Sequence, residues 1–431
     1  LVKFSDILKN AGGAPEPPKK PTPDTASAVS GNEAKPPVSG NAPKAPGWPP
    51  PPKTAEPRDA EVLAAPAPKR DEVPAAPSPK RNEVPAPAKQ TGFPPLPPPE
   101  DDATVRARVE ALPSVDATAV YGELVDAARR IYAAAAAPAD HGPQALPQET
   151  LFKLVRLVRT GDPSILLLAD RAAPDNYLYG HAANVTVLSL RLGLACGASE
   201  EALYTLALGA LLHDIGMAPD RATDKPGPLT DAERAALQKH PRRGQELLTI
   251  FPGLVEPRLE AVRRIVGQVH ERAKGDGYPE KLPSAGVDPL AKVVGVCDVY
   301  EALTHDRAWR PRLLPHDALA RLIEEHEASF DAGLIKQLIE TLSLFPPGSY
   351  VRLSTGDVAR VLEPNPGLPT RPKVRVALDS QGRRPAAAAV LNLATQPLVY
   401  IAEVVDETRL PAADARLAAE LRAQRWWVKG L

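Results

Sequence analysis

The chain has 431 residues, 43% hydrophobic, 24% charged and 4% aromatic, with 52 Lys and Arg against 53 Asp and Glu. A formal charge of -1 excludes bulk electrostatic capture of polymeric nucleic acid or of an anionic membrane as the main activity. Of 52 prolines, 26 fall in residues 1–100, which leaves about 330 residues able to build a core.

Residues 1–100 are rich in Pro, Ala, Lys, Glu and Ser and bury too little apolar surface to offset backbone ordering. They are expected to be a disordered, partly polyproline II tether. Its opening has no apolar run of the signal-peptide kind. Phe4, Ile7 and Leu8 would share one face of a short helix, either a docking motif or a frayed end. An 11-residue repeat begins at Lys69 and again at Lys80, which reads as linker duplication. No run of 18 uncharged apolar residues occurs, so no membrane span is expected, and the expected location is cytoplasmic. Cys196 and Cys297 are too far apart in sequence and too few to form a disulfide framework and are read as reduced, buried thiols.

From Asp101 a helical period sets in. Val105, Val109 and Leu112, then Val120, Leu124, Ala127 and Ile131, recur at three and four. Residues 101–146 form an N-terminal helical segment, and two helix-turn units follow. Residues 178–196, 200–213, 231–249, 256–272 and 287–304 also read as helices, Thr230 and Glu233 forming a capping box. Consecutive helices with short joints make a bundle over 147–345. At Pro346 the pattern turns to alternation. Residues 350–354, 359–363, 373–378 and 398–404 predict a small antiparallel β module over 346–405, and 406–431 carry a last helix, 411–425, before Trp426 and Trp427. The fold class is therefore mainly α.

His213 and Asp214 end an apolar run in LeuLeuHisAspIleGly (211–216). A buried imidazole and carboxylate cost desolvation energy unless paired, and a divalent metal would pair with both. A hydrogen-bonded core pair would look the same in isolation. The pair is not isolated: His181, His240, His270 and Asp298 recur at intervals of about thirty residues on other predicted helices, so five elements could each turn polar side chains into one core.

These strings resemble the HD-GYP subgroup of HD-domain phosphohydrolases, which hydrolyse cyclic di-GMP. The resemblance rests on LeuLeuHisAspIleGly, LysProGlyProLeuThr (225–230), HisProArgArgGly (240–244), HisGluArg (270–272), GlyTyrPro (277–279) and AspValTyrGluAlaLeuThrHisAspArgAlaTrpArg (298–310), over roughly residues 175–345. It implies an HD-type bundle and two divalent ions, Fe or Mn, with Zn also compatible. The implied metal ligands are His181, His213, Asp214, His240, His270 and Asp298, with Asp214 as bridge and Asp214 and His213 as catalytic residues. The implied reaction is attack by a metal-bridging hydroxide, giving linear pGpG and then GMP. Tyr278, Pro279, Arg307 and Arg310 are the implied substrate contacts, the two arginines one turn apart on a helix end. Cyclic di-GMP is the implied ligand, and a diguanylate cyclase (GGDEF) domain a candidate partner through the tether. His141, His305, His316 and His326 match no ligand position and are expected at the surface.

The sequence also departs from that pattern. Met217 stands where relatives of this kind carry a phosphate-binding lysine, Val269 replaces the first of a histidine pair, Tyr177 an acidic residue, and Lys274 an aspartate. Two readings therefore stand: a metal-dependent cyclic di-GMP phosphodiesterase, or a catalytically weak or inactive receptor or scaffold for the same nucleotide.

Overall fold

The computed structural model describes residues 102–112, 115–161, 164–169, 177–219, 227–307, 310–326 and 329–421. The expected Pro-rich tether, Lys225 and the Trp426-Trp427 pair lie outside these residues. The helices are α1 (Asp102–Ala111), α2 (Ala117–Ala136), α3 (Pro138–His141), α4 (Gln148–Thr160), α5 (Ser164–Leu168), α6 (Tyr177–Ala195), α7 (Glu200–Leu212), α8 (Asp231–Leu237), α9 (His240–Leu247), α10 (Arg258–Gln268), α11 (Pro289–Thr304), α12 (Pro315–His326) and α13 (Ala332–Leu342).

Three of these helices are apolar all round, as buried helices are. In α6 every residue from Gly180 to Leu190 is buried, in α7 every residue from Ala202 to Leu212, and α11 packs on α6. The N-terminal segment joins the same core: Val105, Val109, Val120, Leu124, Ala127 and Ile131 are all buried, as their spacing predicts. Caps fix the helix starts. Ser199 accepts from Ala202 N, Asp288 from Leu290 N, and Thr230 with Glu233 forms the expected capping box.

One helix expected over 231–249 is two. The ladder breaks at Gln238 and Lys239 because Pro241 has no N–H to donate, and a fresh helix starts at His240. Likewise α10 stops at Gln268, so His270 lies in the turn after it.

After the bundle come β1 (Tyr350–Leu353), β2 (Val358–Glu363), β3 (Lys373–Leu378), β4 (Val390–Asn392) and β5 (Ile401–Val405), an antiparallel sheet in the order β4-β3-β2-β1-β5. The three-residue β4 escaped the sequence reading because its alternation is too short to register. One sheet face buries Tyr350, Val358, Leu378 and Val405 against Leu417 of α14 (Ala415–Leu421). The other buries Val351, Leu353, Val361 and Val374, and Phe345 packs between it and the bundle. No helix among the described residues is long and apolar enough to cross a membrane. Both cysteines are free, Cys297 buried and Cys196 half-buried.

Candidate metal centre

All six residues expected as ligands meet in the bundle core: His181, His213, Asp214, His240, His270 and Asp298 are each less than a tenth exposed. His181 on α6 and Asp298 on α11 sit in helix interiors. His213 caps the C-terminus of α7, Asp214 follows it into a 3-10 turn, and His240 opens α9. Gly216 makes this convergence possible. A Cβ there would stand 2.0 Å from the His240 carbonyl oxygen and 2.6 Å from Gly244 N, so only glycine lets the turn after Asp214 reach α9.

The six residues form two groups that meet at Asp214, and Asp298 also lies near both, with Oδ2 3.6 Å from His270 Nδ1. Asp214 Oδ2 lies 3.5 Å from His213 Nε2 and 3.7 Å from His181 Nε2, and Asp298 Oδ1 is 3.1 Å from His181 Nε2. Asp214 Oδ1 lies 3.2 Å from His240 Nε2 and 3.5 Å from His270 Nε2. Donor atoms of His181, His213 and Asp214 converge within 4.8 Å, as do those of Asp214, His240 and His270.

The chemistry of these atoms fits divalent cations. His213 Nδ1 donates to the Ala210 carbonyl at 2.7 Å, His240 Nδ1 to the Leu237 carbonyl at 2.8 Å, and His181 Nδ1 to Glu301 Oε2. In its neutral form each ring therefore carries its proton on Nδ1 and turns an Nε2 lone pair toward carboxylate oxygens. Lone pairs facing lone pairs repel unless a cation lies between them. Consistently, His181 Nε2, His213 Nε2 and Asp214 Oδ1 are buried without a hydrogen-bond partner among the described residues, a state costing several kcal/mol for a charged group unless a ligand satisfies it.

The electrostatics point the same way. Burial opposes charge on Asp214, but His213, His240 and His270 outweigh it and hold its carboxyl well below the usual range. Burial likewise opposes charge on Asp298, and His181 and His270 bring it down to about 2. Burial lowers His270 to about 4, so this ring is neutral near pH 7. His181 is the exception: burial is outweighed by Glu301 and Asp298, which hold it well above its ordinary value, so without a cation this ring favours its charged form.

At the mouth, the Tyr278 ring stacks on His270 with centroids 4.8 Å apart, and the Tyr278-Pro279 bond is cis. Gly277 is required there, since a Cβ would lie 2.5 Å from Arg272 N and the His270 carbonyl. The two arginines are not on a helix end as expected. The helix stops at Thr304, and Arg307 and Arg310 bridge each other across a tight turn, their backbone bonds 2.9 and 3.1 Å long. They also part company. Arg307 is half-buried over the Tyr177 ring, 4.1 Å from its centroid, with Nη2 4.0 Å from Glu301 Oε2, and desolvation brings it down to about 9. Arg310 instead donates to the carbonyls of Ala302, Leu303 and Pro311 and caps α11.

Sequence reasoning missed the groups behind the ligands. Glu301 is fully buried and accepts from His181 and Asn184, and burial, which opposes its charge, is outweighed by His181 and His305, bringing its carboxyl down to about 2. Glu271 accepts from Glu280 N at 2.7 Å and Leu282 N at 2.9 Å and holds the loop that carries Tyr278. Their signal was position alone: Glu301 lies three residues after Asp298 on one helix face. His305, expected at the surface, is buried, with Nδ1 3.1 Å from Glu301 Oε1. His316 is half-buried on Phe345, and His141 is exposed as expected. The His326 side chain lies outside the described residues.

Residues 167–334 match the HD domain, and residues 350–413 match the KOW domain associated with HD domain. The chain is 30% identical over 236 residues to the cyclic di-GMP phosphodiesterase PA4108 of Pseudomonas aeruginosa, covering 53% of this chain and 55% of that protein. It is 30% identical over 194 residues to the cyclic di-GMP phosphodiesterase response regulator RpfG of Xanthomonas campestris, covering 44% of this chain and 47% of that protein. A third relative, 3'3'-cGAMP-specific phosphodiesterase 1 of Vibrio cholerae, is 30% identical over 159 residues, covering 36% of this chain and 35% of that protein. The chain thus spans 55% or less of the length of each of these relatives.

Proposed function

The chain belongs to the HD-domain phosphohydrolase family, and on that premise we propose that it is a metal-dependent phosphodiesterase that hydrolyses cyclic di-GMP. The observation that carries this reading is the shared carboxylate of Asp214, with one oxygen toward His181 and His213 and the other toward His240 and His270. Two such groups on one carboxylate suit a pair of divalent cations. Cations held there, Fe or Mn by donor type, would supply Lewis acidity that activates water near neutral pH and offsets phosphodiester charge.

The chain's own residues do the positioning. His181, His213 and Asp298 hold one group and His240 and His270 the other, with the Nδ1 protons of His181, His213 and His240 fixed by Glu301 and backbone carbonyls. Tyr278 gives the mouth an aromatic face for a guanine, and Pro279 fixes the loop beneath it. Arg307 offers a cation on the His181 side. Arg243, whose Nη1 donates to the Gly216 carbonyl at 3.1 Å, offers another beside Met217, where a lysine would otherwise supply the charge. Water adds to phosphorus, the bond to a ribose 3′-oxygen breaks, and that oxygen takes a proton, giving pGpG. A second cleavage of the same kind gives GMP.

The test is to purify the chain with Mn or Fe under reducing conditions, measure metal per chain and follow cyclic di-GMP by chromatography, with 3'3'-cGAMP run in parallel. Conversion to pGpG at full metal load is expected. Binding without conversion would instead support the receptor or scaffold reading, which the buried thioether of Met217 favours. A GGDEF-domain partner and a cytoplasmic location complete the proposal and stand on the resemblance alone.

A further inference from the structure

Helix α2 precedes the residues that match the HD domain, yet its polar side chains reach α6 and the C-terminal end of α7 in the core. Tyr121 and Tyr132 are eleven residues apart, three helical turns, and so lie on one face. Both are buried. Tyr132 Oη donates to the Leu211 carbonyl at 3.1 Å, two residues before His213. Tyr121 Oη donates to Asn184 Oδ1 at 2.5 Å, and Asn184 lies on α6 within one turn of His181.

The second contact continues inward. Asn184 Nδ2 donates to Glu301 Oε1 at 2.9 Å, and Glu301 Oε2 accepts from His181 Nδ1. The direction of this chain is fixed. Glu301 can only accept, so Asn184 must turn its amide N–H toward it, which leaves Asn184 Oδ1 as an acceptor that, among the described residues, the Tyr121 hydroxyl satisfies. A tyrosine outside the matched domain thereby sets the orientation of the carboxylate that fixes the tautomer and aim of His181.

Building on the metal-dependent reading above, we infer that Tyr121 and Asn184 are positioning residues that raise the metal affinity of the His181, His213 and Asp214 group, and that α2 is a working part of the centre. The effect is confined to one group. His240 takes its Nδ1 acceptor from the Leu237 carbonyl, at the end of α8, and no bond from α2 reaches it among the described residues.

The test is calorimetric titration of the full chain with Mn2+, two sites being resolved and assigned with a His240→Ala background that disables the other group. Tyr121→Phe should weaken Mn2+ at the His181 group about tenfold and Asn184→Ala toward about a hundredfold, the range for groups that orient a ligand, with the second site unchanged. Val125→Ala, a buried apolar truncation on the same helix, should lower the Tm and leave both affinities alone. Unchanged affinity in Tyr121→Phe, or an equal loss in Val125→Ala, overturns this inference while the metal-dependent reading stands. Failure of the unmodified chain to bind Mn2+ overturns both.

Discussion

The Nε2 atoms of His240 and His270 lie 2.8 Å apart, although one ring opens a helix and the other follows the end of a different one. Both face Asp214 Oδ1, and with the proton of His240 held on Nδ1 its Nε2 has only a lone pair to offer. That contact is favourable with a shared proton or with a cation between the rings and the carboxylate. Ligand binding and fold stability are therefore linked at this point.

Metal should stabilise the folded chain measurably. At a hundredfold excess of free Mn2+ over Kd, each site adds about 2.7 kcal/mol. Calorimetric scans with Mn2+ and with EDTA should differ by a Tm rise of several degrees. Identical scans would mean that the cluster is not a metal centre.

Asp214→Ala should remove both metals, because both groups draw on its carboxylate. Metal per chain measured by elemental analysis should fall to background and turnover with it, while the far-ultraviolet circular dichroism keeps its helical form. Full metal retention would rule out the bridging arrangement.

Arg307→Ala and Arg310→Ala should separate binding from stability. Arg307 lies over Tyr177 beside the His181 group, so its loss should raise KM for cyclic di-GMP and spare metal content. Arg310 caps α11 through the carbonyls of Ala302 and Leu303, so its loss should cost about 1.5–3 kcal/mol in urea unfolding. The reverse pattern, with KM moving only in Arg310→Ala, would reassign the pair.

Gly216→Ala should destabilise the chain by about 1–3 kcal/mol and weaken the His240 group selectively. The atoms its methyl would strike are backbone, the His240 carbonyl and Gly244 N, and cannot rotate away. Urea unfolding and Mn2+ titration check it, and a neutral outcome in both would show that the turn and α9 can part without cost.

Much of this protein was legible in its residues alone. The apolar spacing of Val105 through Ile131, the capping box at Thr230 and the alternation in Lys373–Leu378 are local patterns, and each became the element they imply. The convergence of the six candidate residues was legible as well, since buried imidazoles and carboxylates recurring between apolar runs need a common partner. Boundaries were less so. The break before His240 depends on one proline, and the turn carrying Arg307 and Arg310 depends on where α11 stops.

What the sequence by itself determined is the order of helices and the β module, with six candidate ligand residues, because side-chain period sets the elements and residue chemistry marks the candidates. Only the tertiary structure decided which carboxylate oxygen faces which imidazole pair, that Arg310 holds a helix end, and that Tyr121 reaches the centre through Asn184 and Glu301. The physical reason is distance along the chain: Tyr121 and Glu301 are linked through Asn184 over separations of 63 and 117 residues. No local pattern records such a link, because a hydrogen bond depends on tenths of an ångström that packing alone fixes.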